Sequence, residues 1–356
     1  MSNTEDILTS AINRQRITDE DALRLFEEAD LLTLGNLARQ RACLFHPQDV
    51  VTFIIDRNIN YTNICTSRCR FCAFYRDAES PDAYLLTPDE ILEKVSEAVS
   101  LGATQIMLQG GLHPALTLGY YQEVLQKIKQ RCAVSIHSFS PPEIVHLAKV
   151  SHLSIAEVLR HLRDAGLDSL PGGGAEILSD RVRSIISPHK ISSEEWLGVM
   201  KAAHQMGLKT TATMMIGSVE TREERIEHLS KVRALQDTTG GFRAFIPWSF
   251  KTAHTDLGGA EVSSLDYLRT LAISRIYLDN IENIHGSWVT QGPDIGQITL
   301  FFGANDLGSI MLEENVVRAA GASYRLSEEE MVSLIRSADK IPAQRNTAYK
   351  IIKTYD

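Results

Sequence analysis

"VVTFIIDRNINYTNICTSRCRFCAFYR", residues 50–76, begins as an apolar run of strand character and breaks into a polar loop that holds three cysteines. Cys65, Cys69 and Cys72 follow the spacing C-x3-C-x2-C, while the other two of the five cysteines, Cys43 and Cys132, have no cysteine neighbour. A loop bearing chemistry directly after a buried strand is the layout of α/β enzymes, whose sites form at the carboxyl ends of parallel strands. The fold therefore turns on whether strand and helix go on alternating downstream.

They do. "TPDEILEKVSEAVSLG" (87–102) has a capping threonine, a proline in its first turn and a terminal glycine, the marks of a complete helix. "TQIMLQGG" (104–111) and "AVSIHSFS" (133–140) are short apolar strands, separated by the helical "GYYQEVLQKIKQRC" (119–132). "PPEIVHLAKV" (141–150) opens the next helical stretch, and "GLDSLPGGG" (166–174) leads to the helix "SSEEWLGVMKAAHQMG" (192–207). "LKTTATMMIG" (208–217), "GFRAFIPWSF" (241–250) and "NIHGSWVTQG" (283–292) continue the series. The last unit is a helix from Pro293 and a brief strand near Asp306 to Ile310. Eight such steps predict a (β/α)8 TIM-type barrel over residues 51–356 with C-terminal helices, after an N-terminal helical extension over residues 1–50. A doubly wound open sheet is the alternative.

Composition narrows the function. The chain has 356 residues, 44% of them hydrophobic, and a net charge of -9, which gives no footprint for nucleic acid. No apolar run reaches the length of a membrane span, and "MSNTEDILTSAINRQ" lacks the apolar core of a signal peptide. An odd number of cysteines, three of them bunched, points to a reducing cytoplasm rather than to a secreted disulfide framework. Bunched thiolates select zinc or iron–sulfur. A structural zinc site wants four protein ligands, and a 4Fe–4S cube ordinarily takes four cysteines. Three would leave one position open for a reacting molecule. A zinc site completed by a distant histidine, or three ordinary buried thiols, are the plainer readings, but the polar Thr66, Ser67, Arg68 and Arg70 between the cysteines argue against a packed core.

On the expected barrel, the unusual residues gather on one rim: the cysteines after strand one, Gly110 and Gly111 after strand two, His137 after strand three, "GGGAE" (172–176) after strand four and Trp248 at strand six. Alternation along the strands turns His137 and His285 inward with Asn58, Asn60, Thr62, Thr211, Thr213 and Ser287. Such a lining suits a polar, sugar-like ligand. A lone inward histidine is more often a hydrogen-bonded core group than a catalyst, so His137 and His285 stand as candidates only. Arg181 and Arg183, at a helix start, read as a solvated face.

C-x3-C-x2-C with Phe71 before the last cysteine resembles the signature of the radical S-adenosylmethionine (SAM) superfamily. The resemblance implies that Cys65, Cys69 and Cys72 hold a 4Fe–4S cluster whose fourth iron is chelated by S-adenosyl-L-methionine. It implies cofactor contacts at Gly110 and Gly111 of "QGGLHP", where Leu112 replaces the acid of the usual Gly-Gly-Glu element, and at Glu176, near the ribose. Gly217 of "TMMIGSVE" would lie near the adenine, with Phe71 and Tyr75 flanking it. "NYTNICTSRCRFCAFYR", "PGGGAEILSDRVRSIISP", "SWVTQGP" and "GANDLGSIMLEENVVRAAG" resemble, within that superfamily, the cyclic dehypoxanthine futalosine synthase family of menaquinone biosynthesis. Aminofutalosine synthases and tyrosine-utilising deazaflavin-precursor synthases share much of this framework. The resemblance implies hydrogen abstraction from ribose C4′ of dehypoxanthine futalosine, a small-molecule substrate, and a low-potential electron donor such as flavodoxin or ferredoxin. A non-catalytic iron–sulfur or zinc protein, or a metal-free barrel enzyme, remain the readings of other classes.

Overall fold

The computed structural model describes residues 3–355. Three helices come first, Thr4–Ile12, Asp19–Glu28 and Leu31–Phe45. Asn3, Thr18 and Asp30 each cap one of them by accepting a backbone N–H of its first turn. The second and third lie against the helices Arg222–Thr239 and Ser264–Tyr277 of the main body. One continuous apolar cluster runs from Ile7 through Leu25 and Phe26 to the barrel residues, so this extension shares the core it covers.

The strands are β1 (Val50–Ile54), β2 (Asp56–Ile59), β3 (Gln105–Leu108), β4 (Ser135–Ile136), β5 (Ser169–Leu170), β6 (Lys209–Ile216), β7 (Phe242–Ser249), β8 (Asn283–Ile284), β9 (Asp306–Ser309), β10 (Ile341–Arg345) and β11 (Ile351–Thr354). β1 and β2 are two halves of one strand. From β2 the parallel pairing passes to β3 and β4, and a parallel bridge between His137 and Ser169 carries it to β5. It continues through β6, β7 and β8, crosses to β9 by the bridge His285–Asp306, and returns to β1, where Thr52 faces Asp306. The parallel ring closes, which an open doubly wound sheet does not do.

Several strands are shorter than the apolar runs predict. "AVSIHSFS" gives only Ser135–Ile136. Side-chain oxygens have taken ladder positions there: Ser138 Oγ accepts from Leu108 N at 2.8 Å, Asp168 Oδ2 from Ile136 N at 2.7 Å and Asn305 Oδ1 from Ile284 N at 2.9 Å. The backbone stays satisfied while the ring splays.

The C-terminal part holds the helix Glu328–Arg336 and then a feature that periodicity did not announce. β10 runs parallel beside β1, Val50 facing Ile341 and Phe53 facing Gln344, and turns back as β11. The turn between them is tied by Asn346 Oδ1, which accepts from Ala348 N and Lys350 N. It brings Arg345, Thr347 and Tyr349 to the floor of the barrel.

Candidate active site

A cavity of about 410 Å³ runs through the barrel from the rim to this floor. At the rim it is lined by Cys65, Cys69, Cys72, Phe71, Tyr75, Gly110, Gly111, Glu176 and Lys190. Further in come Asn58, Gln105, His137, Thr211, Thr213 and Trp248, and at the floor Arg243, His285, Arg345 and Tyr349. The chain thus brings the three cysteines, both histidines and most of the expected cofactor contacts onto one wall. Cys43 and Cys132 are not on it.

The cysteine loop is built by its neighbours. Cys65 N donates to Arg76 O at 3.1 Å and Cys72 N to Cys69 O at 3.0 Å, while Arg68, just before Cys69, takes a left-handed φ of 43°. The Gly110–Gly111 turn lies against it: a Cβ placed on Gly111 would stand 2.2 Å from Ile64 O and 2.9 Å from Cys65 Cβ. A larger residue at Gly111 would not act on the cofactor alone; it would push the first cysteine out of place.

These residues fit an iron–sulfur group. Burial pushes the Cys69 thiol up to about 12, only partly opposed by Lys190 close by, and burial raises Cys72 as well. Such thiols become thiolates when a metal cation is at hand. Among the described residues no three His, Cys, Asp or Glu side chains converge as the ligands of one metal ion would. Three thiols on one loop that lines the cavity suit a cluster held by cysteine thiolates.

Glu176 is 5% exposed, with a left-handed φ of 39°. Lys190 Nζ donates to its Oε1 at 3.0 Å, and Oε2, 3.8 Å from Arg183, has no hydrogen-bond partner. A buried carboxylate oxygen without a partner, on a residue that lines the cavity, is a place for a ligand hydroxyl. Lys190 also lies over the Phe71 ring, 5.2 Å from its centre. Burial disfavours its charge, but Glu176 and Cys69 more than reverse this and raise its pKa. Arg183 is no solvated face: it is 4% exposed and donates to the carbonyls of Ile191, Gly174 and Ala175, locking the glycine loop that carries Glu176. Arg181 is on the surface, paired with Glu224 at 2.6 Å.

Gly217 is not on the cavity wall. It has φ of 90°, its N–H goes to Glu220 Oε1 at 2.7 Å, and Val262 closes over it, 2.9 Å from where a Cβ would be. Glu220 in turn pairs with Arg225 at 2.9 Å. The turn is held by these contacts of its own side chains.

The two histidines differ. His137 Nδ1 meets Ser169 Oγ at 2.7 Å, and burial, aided by Arg243, Arg345 and His285, pushes its pKa down to about 3, so it stays neutral. Its Nε2 has no partner among the described residues. His285 Nε2 lies 3.0 Å from Asp306 Oδ1 and 2.5 Å from Tyr349 Oη. Asp306 is fully buried; burial alone would raise its pKa, but Arg345 and His285 reverse this and hold it well below the carboxylate range. His285 is part of a closed network.

Two rim residues escaped the sequence. Glu143 accepts from Tyr61 Oη at 2.6 Å, Ser140 N at 2.7 Å and Gly110 N at 3.2 Å, and burial raises its pKa. In sequence it is only the acid of a Ser140–Glu143 capping box. Lys190 is a single lysine in a loop, without a local signal.

Comparison with known proteins agrees with this geometry. The Radical SAM superfamily model matches residues 59–232, and the CofH/MqnC C-terminal region matches residues 239–355. A cyclic dehypoxanthine futalosine synthase of Halalkalibacterium halodurans is 47% identical over 99% of this chain and 96% of its own, and one of Streptomyces coelicolor is 45% identical over 100% and 90%. A 5-amino-6-(D-ribitylamino)uracil–L-tyrosine 4-hydroxyphenyl transferase of Methanopyrus kandleri is also 45% identical, over 86% of this chain and 85% of its own. Among solved structures, methylornithine synthase superposes with a TM-score of 0.71 at 20% identity, covering 94% of this chain and 95% of that one. The FeFe-hydrogenase maturase of Carboxydothermus hydrogenoformans gives 0.77 at 14% identity, covering 97% and 80%. The parallel ring, the cysteine rim and these relatives agree: the chain is an enzyme of the radical SAM superfamily, in the family that the futalosine synthases and the tyrosine 4-hydroxyphenyl transferases share.

Proposed function

We propose that the enzyme cyclises dehypoxanthine futalosine to cyclic dehypoxanthine futalosine in menaquinone biosynthesis. The observation that carries this reading is the 47% identity, end to end, with a synthase of that name. Cys65, Cys69 and Cys72 would hold the 4Fe–4S cluster. Gly110, Gly111, Glu176, Phe71 and Tyr75 would receive S-adenosylmethionine, Glu176 through its open Oε2. When bound, the cluster and S-adenosylmethionine supply a 5′-deoxyadenosyl radical, which takes hydrogen from ribose C4′.

The chain's own residues do the rest. Asn58, Gln105, Thr211 and Thr213, all on the cavity wall, give the ribose hydroxyls partners and fix C4′ toward the rim. Lys190 balances the carboxylate of Glu176 inside the wall, where water cannot. After the substrate carbon radical adds to the carboxyphenyl ring, the ring must lose one electron, to the bound cluster left oxidised by the cleavage, and one proton to regain aromaticity. His137 Nε2 is the acceptor; being a weak base it passes the proton on rather than storing it. His285, held by Asp306 and Tyr349, positions the floor. The first electron comes from a low-potential donor of the flavodoxin or ferredoxin kind, in the cytoplasm. No helix among the described residues is long and apolar enough to cross a membrane.

Turnover with substrate deuterated at C4′ tests the reading. Label should appear in 5′-deoxyadenosine, and the product, having lost the C4′ deuterium and one ring hydrogen, should be two mass units lighter than unlabelled substrate. No 5′-deoxyadenosine from protein carrying a full cluster would overturn it. Turnover of tyrosine with a ribitylaminouracil instead would assign the activity of the Methanopyrus kandleri relative.

A further inference from the structure

The cavity floor holds charge that the steps above leave without a task. Arg243, at the start of β7, lines the cavity and is half-buried. Its Nη1 donates to the Thr347 carbonyl at 3.1 Å, and it makes no ion pair among the described residues. Its neighbour Arg345 is fully engaged, with Nε and Nη2 on Asp306 at 2.5 and 3.1 Å. Thr347 is 7% exposed and lines the same floor, and its Oγ1 is buried without a hydrogen-bond partner. A half-buried guanidinium lacking a carboxylate, beside an orphaned hydroxyl, leaves donors in want of an anion. The positive field is felt nearby: Arg243 and Arg345 both help keep His137 neutral.

We propose that Arg243 and the Thr347 hydroxyl form a carboxylate subsite at the barrel floor, which seats the acid group of an aromatic carboxylate with its far end toward the cysteine rim. The proposal deepens the reading above, on which the substrate carries a carboxyphenyl ring. The donors match that group, the anionic part of the substrate. A guanidinium presents N–H groups in a planar fork, as a carboxylate accepts them, and the hydroxyl adds a third donor. The C-terminal hairpin is then part of the site, since it supplies Thr347 and fixes Arg243 through its carbonyl.

Calorimetric titration of the holoenzyme with benzoate and benzamide, and with dehypoxanthine futalosine and its methyl ester, tests this. Each acid should bind on the order of 10- to 100-fold more tightly than its neutral counterpart, the worth of a charge-assisted hydrogen bond or two. Arg243→Met should abolish that preference and Thr347→Val should reduce it, while benzamide and ester affinities hold. Arg243→Lys should keep part of it, which guards against a variant that merely fails to fold. Equal losses for acid and neutral ligand would mean that Arg243 only braces the hairpin. That result, or no preference for benzoate in the unmodified enzyme, overturns the subsite. If futalosine compounds are not turned over but the benzoate preference exists and vanishes in Arg243→Met, the subsite stands and the assigned reaction falls.

Discussion

Replacing Gly111 by alanine tests the link between the glycine turn and the cysteine loop. The added Cβ would stand 2.2 Å from Ile64 O, where real contacts of this kind stay beyond 3.0 Å. Both atoms belong to backbone or are fixed to it, so no flexible side chain can yield. The loop must retreat by about 0.8 Å, and because Cys65 Cβ lies only 2.9 Å from the same point, the first cysteine moves too. Overpacking of this kind costs about 1–3 kcal/mol. In a chain of this size that lowers Tm by only a few degrees. The larger effect falls on the cluster, whose ligands must meet iron within a few tenths of an ångström. Iron and sulfide analysis after anaerobic reconstitution should show Gly111→Ala retaining well under half of the iron bound by the unmodified enzyme, with visible absorption reduced in proportion. Gly198→Ala is the control: apart from its own helix turn, no atom among the described residues lies within 4 Å of its Cβ position on the helix Ser193–Gln205, so it should gain about 0.5–1 kcal/mol and keep its iron. A Gly111→Ala protein with a full cluster and unchanged stability would refute the reasoning.

Cys65→Ala, Cys69→Ala and Cys72→Ala should each abolish cluster binding and activity, whereas Cys43→Ala and Cys132→Ala should retain both; loss in Cys132→Ala with retention in Cys72→Ala would reassign the ligands. Lys190→Met leaves the buried Glu176 with only the more distant Arg183, 3.8 Å away, as cation, and breaking a buried pair costs up to about 3–5 kcal/mol, measurable as a fall in the urea midpoint of the cluster-free protein; a change under about 1 kcal/mol would show that Arg183 suffices. Burial pushes His137 and His228 down to about 3 and His204 to about 4. Their folded pKa values lie below the unfolded one near 6.5, so the unfolded chain binds more protons below that pH. Stability should therefore fall as pH drops from about 6.5 toward 4, by up to about 1.4 kcal/mol per pH unit for each histidine. His228→Gln should flatten that slope, and an unaltered slope would remove His228 from the account.

The sequence by itself determined most of what is local. Helix starts were legible because a capping side chain and the N–H groups it satisfies lie within three residues of each other, as at Thr87 and Ser192. The cysteine loop was legible because its ligands sit within eight residues of chain and follow a strand. The order of the strands and their carboxyl-end loops placed both histidines on the cavity. What only the tertiary structure decided are meetings between distant segments. Glu143 reads as a cap until the fold turns its carboxylate onto Gly110, thirty-three residues back. Lys190 acquires a task only where Glu176, Phe71 and Cys69 enclose it. Gly217 carried a familiar pattern, and the fold adds Val262, forty-five residues on, which packs over its turn. β10 has little apolar alternation of its own and exists because β1 offers an open edge, so no short window of sequence reveals it. Asp306 and Arg345, thirty-nine residues apart, neutralise each other there, whereas Arg243 beside them lines the cavity without an ion pair among the described residues. Local free energies are written in neighbouring residues; the balance of buried charge is set by which segments the closed barrel brings together.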